Sequence, residues 1–317
     1  MPKYYVIADG GGSKLQVILY DENFRIVRAD RVAGVNTLYK PVDAVRDNVE
    51  RMMTDLLNDL DDEIIAADLC LMGAKDVMTN ILKRHGLQDN IYFHSEPVVG
   101  LAASFQTDGV VALSGTGSDA FFVKDGGWKT AVGGWGPLLG DEGSGYDIGL
   151  NALKAAIYSY DGRKEKSMLY DLVMEKWNLK ELWGIVTHLA GNPDARHEVA
   201  SAATLCSKAA HAGDKAALRI YERAALDMSL LVRTVIRQNR EEWDGTISIM
   251  GGAWKGHPSM YHIFKQEIEL LYPEAIVSKP LFEPVVGCAV LRCLREGMTV
   301  EEIYEPMISG FSKFRYP

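Results

Sequence analysis

One pattern constrains this chain more than any other: the order strand, glycine turn, strand, strand occurs twice. Asp9-Gly10-Gly11-Gly12-Ser13-Lys14 separates the apolar runs Tyr4–Ala8 and Leu15–Tyr20. A third run, Phe24–Val32, follows the turn Asp21-Glu22-Asn23. Ser114-Gly115-Thr116-Gly117-Ser118 does the same between Val110–Leu113 and Asp119–Val123, with Trp128–Val132 as the third run. The second turn starts at residue 114, 105 positions after the first at residue 9. A repeat on that scale duplicates a domain, and 317 residues are enough for two cores. The expected division is 1–108 for the first domain and 109–297 for the second, with a tail over about 298–317 packing back on the first.

Between and after the repeats the periodicity is mixed α/β. Val42, Val45, Val49, Met52, Leu56 and Leu60 recur at helical spacing behind Pro41. Ala67–Gly73 and Ile91–His94 read as strands and Val98–Phe105 as a short helix. Beyond residue 146 the chain is mainly helical. Ala195–His211 reads as one helix; Gly213 stops it and Asp214 caps the next, which runs to Gln238. Thr246–Met250 is a late strand, helices over Tyr261–Leu271 and Val286–Glu296 complete the second domain, and Val300–Met307 is helical in the tail.

Composition excludes several functions. A net charge of −9 argues against broad nucleic-acid binding. No basic-then-apolar leader and no apolar run of membrane-spanning length is visible, which points to a cytoplasmic chain without a membrane partner. The four cysteines include no CxxC pair, so the expectation is free thiols without structural zinc.

The two glycine turns are the first candidates for chemistry. Glycines at such turns expose successive backbone N–H groups, which together make an anion nest. Gly11, Gly12 and Ser13 in one turn, and Gly115, Thr116 and Gly117 in the other, are therefore expected to hold a polyphosphate; Lys14, first after its turn, either touches a phosphate or points to solvent. Asp9, at the end of the first strand, suits Mg²⁺ bound through water. Neither turn fits the P-loop or the dinucleotide-binding pattern. Met250-Gly251-Gly252-Ala253-Trp254-Lys255-Gly256 follows a strand and leaves room for a flat nucleobase at Gly251, Gly252 and Gly256. The stretch GGWGPLLGDEGSGY, residues 133–146, spends six of fourteen residues on glycine. Asp141 and Glu142 accept hydrogen bonds from hydroxyls, and Trp135 offers a flat face to a sugar ring. That composition suits a polyhydroxylated ligand.

Taken in order, DGGGSK, LSGTGS, GGWGPLLGDEGSGY and MGGAWKG resemble the N-acetylglucosamine kinase family. That family belongs with the BadF/BadG/BcrA/BcrD-type ATPases of the sugar kinase/Hsp70/actin superfamily. The resemblance covers nearly the whole chain, and its third motif is the most specific. It implies two ribonuclease-H-like (actin-like ATPase) domains with an interdomain cleft for ATP and sugar. It implies ATP and Mg²⁺ as cofactors, phosphorylation of an amino sugar such as N-acetylglucosamine at its 6-hydroxyl, and a homodimer. Residues matching the sugar site are Asn36, Ser118, Asp119, Gly134, Trp135, Gly136 and Asp141; Ala210 falls near a nucleotide contact. The segment FHSEPVVGLAA departs from the family, with Glu96 where the family has a catalytic Asp. Glu96 is expected to be the general base and a sugar contact, its backbone pushed towards extended geometry by Pro97.

Two other readings stand beside this one. Relatives in the same ATPase group activate dehydratases or reductases through an iron–sulfur cluster, but the cysteines here are scattered. A sugar sensor without catalysis is the other. Asn36 and Leu38 lie near the region that selects among N-acetylglucosamine, glucosamine and N-acetylmuramic acid without deciding it.

Overall fold

A computed structural model describes residues 3–37, 41–60 and 63–317; Leu38 lies outside them. The chain divides into two compact units. The first takes in Met1–Asp108, Val123–Trp128 and Lys279–Pro317, and the second Gly109–Phe122 and Lys129–Ser278.

The first unit begins β1 (Tyr4–Gly10), β2 (Lys14–Asp21), β3 (Ile26–Ala33), α1 (Val42–Leu57), β4 (Ile64–Leu71), α2 (Lys75–Arg84), β5 (Ile91–Phe93) and α3 (Glu96–Ala102). The chain continues with β6 (Gly109–Ser114), β7 (Ser118–Lys124), β8 (Gly127–Gly133), α4 (Gly145–Tyr160), α5 (Leu169–Lys176), α6 (Gly184–Leu189), α7 (Ala195–Ser201), α8 (Ala203–His211) and α9 (Lys215–Gln238). It then forms β9 (Thr246–Met250), α10 (Pro258–Leu271), β10 (Ile276–Ser278), α11 (Pro284–Arg295) and α12 (Val300–Gly310).

The repeat in the sequence is a repeat of topology. One sheet has the order β3-β2-β1-β4-β5 and the other, read in the same sense, β8-β7-β6-β9-β10. In the first, β1–β2 and β2–β3 pair antiparallel while β4 joins β1, and β5 joins β4, in parallel. In the second, β9 pairs parallel with β6 and with β10.

Strand alternation builds two cores on the first sheet. Val6, Ala8, Leu15, Val17, Leu19, Ala67 and Leu69 face α1 and α2, meeting Val45, Val49, Met52 and Leu56. The intervening Tyr5, Ile7, Ile18, Tyr20, Ala66 and Cys70 meet Val285, Val286, Cys288 and Ala289 of α11, with Ile303 and Met307 of α12. Each face is therefore covered, as a sheet with a parallel half requires.

Three expectations need correction. The helix expected over Val286–Glu296 in the second domain is α11, whose apolar face is part of the first unit's core, so it belongs there with the tail. The single helix over Ala195–His211 is two, α7 and α8, meeting at Ala202. Gly149 of α4 presses on that junction, where an added Cβ would lie 2.0 Å from the Val199 carbonyl oxygen. Ser201 and Thr204 hydroxyls also bond backwards to Glu198 and Ser201 carbonyls, which loosens the regular ladder. Glu96 is not extended: it opens α3, with Ser95 as the extended N-cap (φ −82°, ψ 149°) and Pro97 tolerated in the first turn. Asp214 caps α9 as its position suggests, accepting from the Ala216 and Ala217 amides.

All four cysteines are buried free thiols. Among the described residues no helix is long and apolar enough to cross a membrane.

Candidate active site

In the first unit, candidate residues gather where β1, β4 and β5 end. Asp9 lies opposite Cys70 in the parallel register. The Cys70 thiol donates to the Asp9 carboxylate and is itself pushed well up by burial and by the charges of Asp9, Cys288 and Glu96. Cys70 is thus a common neighbour of the expected metal residue and the expected base. Burial raises Asp9 to about 6, against a lowering by Lys14; nearby Glu283 adds to the rise.

The first glycine turn is braced from two sides. The Gly11 amide closes it on the Lys14 carbonyl, so that N–H is already spent. Gly34 and Val35 donate to the Ser13 and Gly11 carbonyls, which lays the following loop across the turn and puts Asn36 beside it, 7% exposed. Lys14 Nζ lies 3.5 Å from Glu283 Oε2, at the N-cap of α11.

The backbone leading to Glu96 is anchored by a charge cluster. The His94 amide donates to the Leu69 carbonyl, and His94 Nε2 lies 2.7 Å from Oδ1 of buried Asp68. Arg295 of α11 grips both Asp68 carboxylate oxygens and lies over the Tyr92 ring, 3.4 Å from its centroid. His94 is thus a satisfied structural histidine, its Nε2 paired with Asp68.

In the second unit, the 115–117 turn is held by the start of α4. Gly145 and Tyr146 donate to the Gly115 and Thr116 carbonyls, and the Gly115 amide is spent on Gly117. Gly251, with φ +107°, fits against the same turn; a Cβ there would lie 2.2 Å from the Ser114 carbonyl oxygen. The expected nucleobase patch and phosphate turn are therefore neighbours. Gly256 covers the Tyr221 ring, and Ser207 Oγ donates to its carbonyl. Ala210, one turn on from Ser207, is a buried core residue.

The glycine-dense stretch now has a geometric reason. Gly133, Gly134, Gly136 and Gly143 all have positive φ, and so does Asp141 at +64°. Such backbone is costly for a residue with a Cβ, so Asp141 is held there by its surroundings. Its carboxylate packs against Gly117, accepts from the Ser118 amide at 3.4 Å and pairs with Arg196 Nη2 at 3.1 Å. Asp119 lies against Gly134, and burial together with the Asp141 charge pushes it up to about 7. Ser118 donates its hydroxyl to the Glu142 carbonyl. Trp135 is 75% exposed, and Leu138 and Leu139 beside it are exposed too.

The description of the BadF/BadG/BcrA/BcrD ATPase family matches residues 8–291. The chain belongs to that family. ATP is accordingly the nucleotide this ATPase-family protein uses. It is 24% identical over 302 residues to an N-acetylmuramic acid/N-acetylglucosamine kinase of Clostridium acetobutylicum, covering 91% of this chain and 98% of that one. It is 25% identical over 316 residues to an N-acetyl-D-glucosamine kinase of Dictyostelium discoideum, covering 90% and 97%. Its fold is that of a ROK family glucokinase from Streptomyces griseus solved with glucose and AMPPNP (TM-score 0.59, 13% identity, 91% of this chain and 98% of that chain). The two-sheet α/β architecture is thus shared with that sugar kinase structure.

Arg196, Asp68 and Cys70 carry no signal of a site in the sequence. Arg196 sits in a stretch with no glycine motif, and Asp68 and Cys70 lie in a run that reads only as a buried strand.

Proposed function

We propose that this protein transfers the γ-phosphoryl group of ATP to the 6-hydroxyl of an amino sugar, with N-acetylglucosamine as the first substrate. The observation that carries the reading is similarity over nine-tenths of the chain to two kinases named for that sugar. The side-chain chemistry supports it. In the first unit Glu96 accepts the hydroxyl proton as the sugar oxygen bonds to the γ-phosphorus and the bond to the bridging oxygen of ADP breaks. Asn36, in the same unit, accepts and donates to sugar hydroxyls.

In the second unit Asp141, Asp119, Ser118 and the backbone of Gly134 and Gly136 hold the sugar, while Trp135 covers its apolar side. Thr116, Gly117, Gly251, Gly252 and Gly256 serve the nucleotide there, with Ala210 behind them. Gly12, Ser13 and Lys14 serve it in the first. Gly11 and Gly115 contribute turn shape, since their amides bond within the turns. Asp9, with Glu283 nearby, suits Mg²⁺, which takes one or two carboxylates and draws its other oxygens from phosphate and water. That ion would neutralise charge on the transferred group.

The test is a coupled assay of ADP release with and without N-acetylglucosamine. ADP release should depend on the sugar. Glu96→Gln should lower kcat by roughly 10²-fold or more, the usual contribution of a placed base, while ATP binding measured by calorimetry is retained. ATP consumption at the same rate without sugar would sink the reading.

A further inference from the structure

Arg196 pairs with Asp141, one of two neighbouring carboxylates assigned to the sugar. Asp141 is 3% exposed, and its position is already fixed by the Ser118 amide and by contact with Gly117. Asp119, half-buried, is close enough for the two charges to be felt mutually. With both ionised and no cation, that pair would attract a protonated amine and repel a carboxylate. Arg196 reaches in from α7 to pair with Asp141 at 3.1 Å, its side chain 23% exposed. Of the other acids nearby, Asp147 accepts from the Gly143 amide and from Asn151, Asp227 pairs with Arg223, and Glu142 adds a further negative charge to this group.

We propose that Arg196 sets the charge class of sugar this site accepts, offsetting Asp141 so that neutral N-acylated amino sugars are not disfavoured against the free ammonium form. The inference rests on the sugar kinase reading and adds a residue and a selection rule to it. Asp141 and Asp119 contribute up to two negative charges and Arg196 one positive. Asp119, raised to about 7, is partly neutral near that pH, which brings the set still nearer to balance. Because Asp141 is assigned to the sugar, a guanidinium paired with it acts on the ligand's charge by Coulomb interaction, which part-exposure weakens but does not abolish.

The test is a charge series at pH 6.5 and low salt: glucosamine (cation), N-acetylglucosamine (neutral) and N-acetylmuramic acid (anion), all presented to the intact enzyme. For Arg196→Gln, relative kcat/KM should fan out by on the order of tenfold per unit of substrate charge, rising for glucosamine and falling for N-acetylmuramic acid. Arg196→Lys should restore the wild-type order. Asp141→Asn should fan the series the opposite way, and it keeps the test decisive if Arg196→Gln folds poorly. A common loss for all three sugars, or Arg196→Lys behaving like Arg196→Gln, would overturn the proposal and leave Arg196 a prop for Asp141. A wild-type enzyme that phosphorylates none of the three would instead bring down the kinase reading, and this inference with it, before any variant is made.

Discussion

Asp119 couples local electrostatics to stability. Its ordinary value is 3.8 and its folded value about 7, so between those pH values the folded protein holds a proton that the unfolded chain has lost. Stability attributable to this group therefore falls as pH rises from about 4 to about 7 and is flat beyond. Asp119→Asn, which cannot titrate, should melt progressively higher than the parent across that window and keep its advantage at pH 8. Thermal denaturation at pH 4, 6 and 8 checks it; an advantage that does not grow with pH counts against a raised Asp119. The neighbouring Asp141 shows the limit of reading residues one at a time. The glycines around it advertise unusual backbone, but nothing in DEGSGY says that the aspartate itself takes the left-handed conformation. Nor does the sequence say that an arginine 55 positions away meets it.

At the scale of elements, α3 matters most because it opens with Glu96. It is fixed at one end by the His94–Asp68–Arg295 cluster and along its length by α11. Gly287 of α11 touches α3 so closely that a Cβ would lie 2.2 Å from the Val99 carbonyl oxygen and 3.0 Å from the Ala103 amide nitrogen. Gly287→Ala should cost about 1–3 kcal/mol of stability, the usual range for overpacking, read from denaturant unfolding. It should also lower kcat more than it changes the KM for ATP, because the helix that moves carries the base. The helical stripe of α1, the cap of α9 and the paired glycine turns were all legible, since each follows from local spacing. Gaps remained where tertiary contact decides. Lys75–Arg84 and Ile276–Ser278 carry patterns too short to stand out, and the step between α7 and α8 depends on the approach of Gly149.

For the whole molecule, duplication was readable because both copies keep the same turn chemistry at the same point of the same strand order. Where the second copy ends was not, because amphipathic helices such as α11 carry no mark of which sheet they cover. Phe282, Val285, Val286, Ala289, Ile303, Met307 and Phe311 all bury against strands near the N-terminus. Deleting residues 279–317 should therefore unfold the first unit while sparing the second. Limited proteolysis of the shortened chain should cut freely before residue 108 and slowly within 129–278. Equal resistance in both regions would contradict this account of the core.

That first unit also imposes a delay during synthesis. Its second core face is completed only by residues from 279 onward, 171 positions after the unit's first segment ends at 108. At about 5–20 residues per second, the opening strands wait roughly 10–30 s on the ribosome with Tyr5, Ile7, Ile18 and Tyr20 uncovered. The nascent chain thus shows a greasy sheet to the cell long before its own C-terminus arrives to cover it, a window in which a holdase would find a ready client.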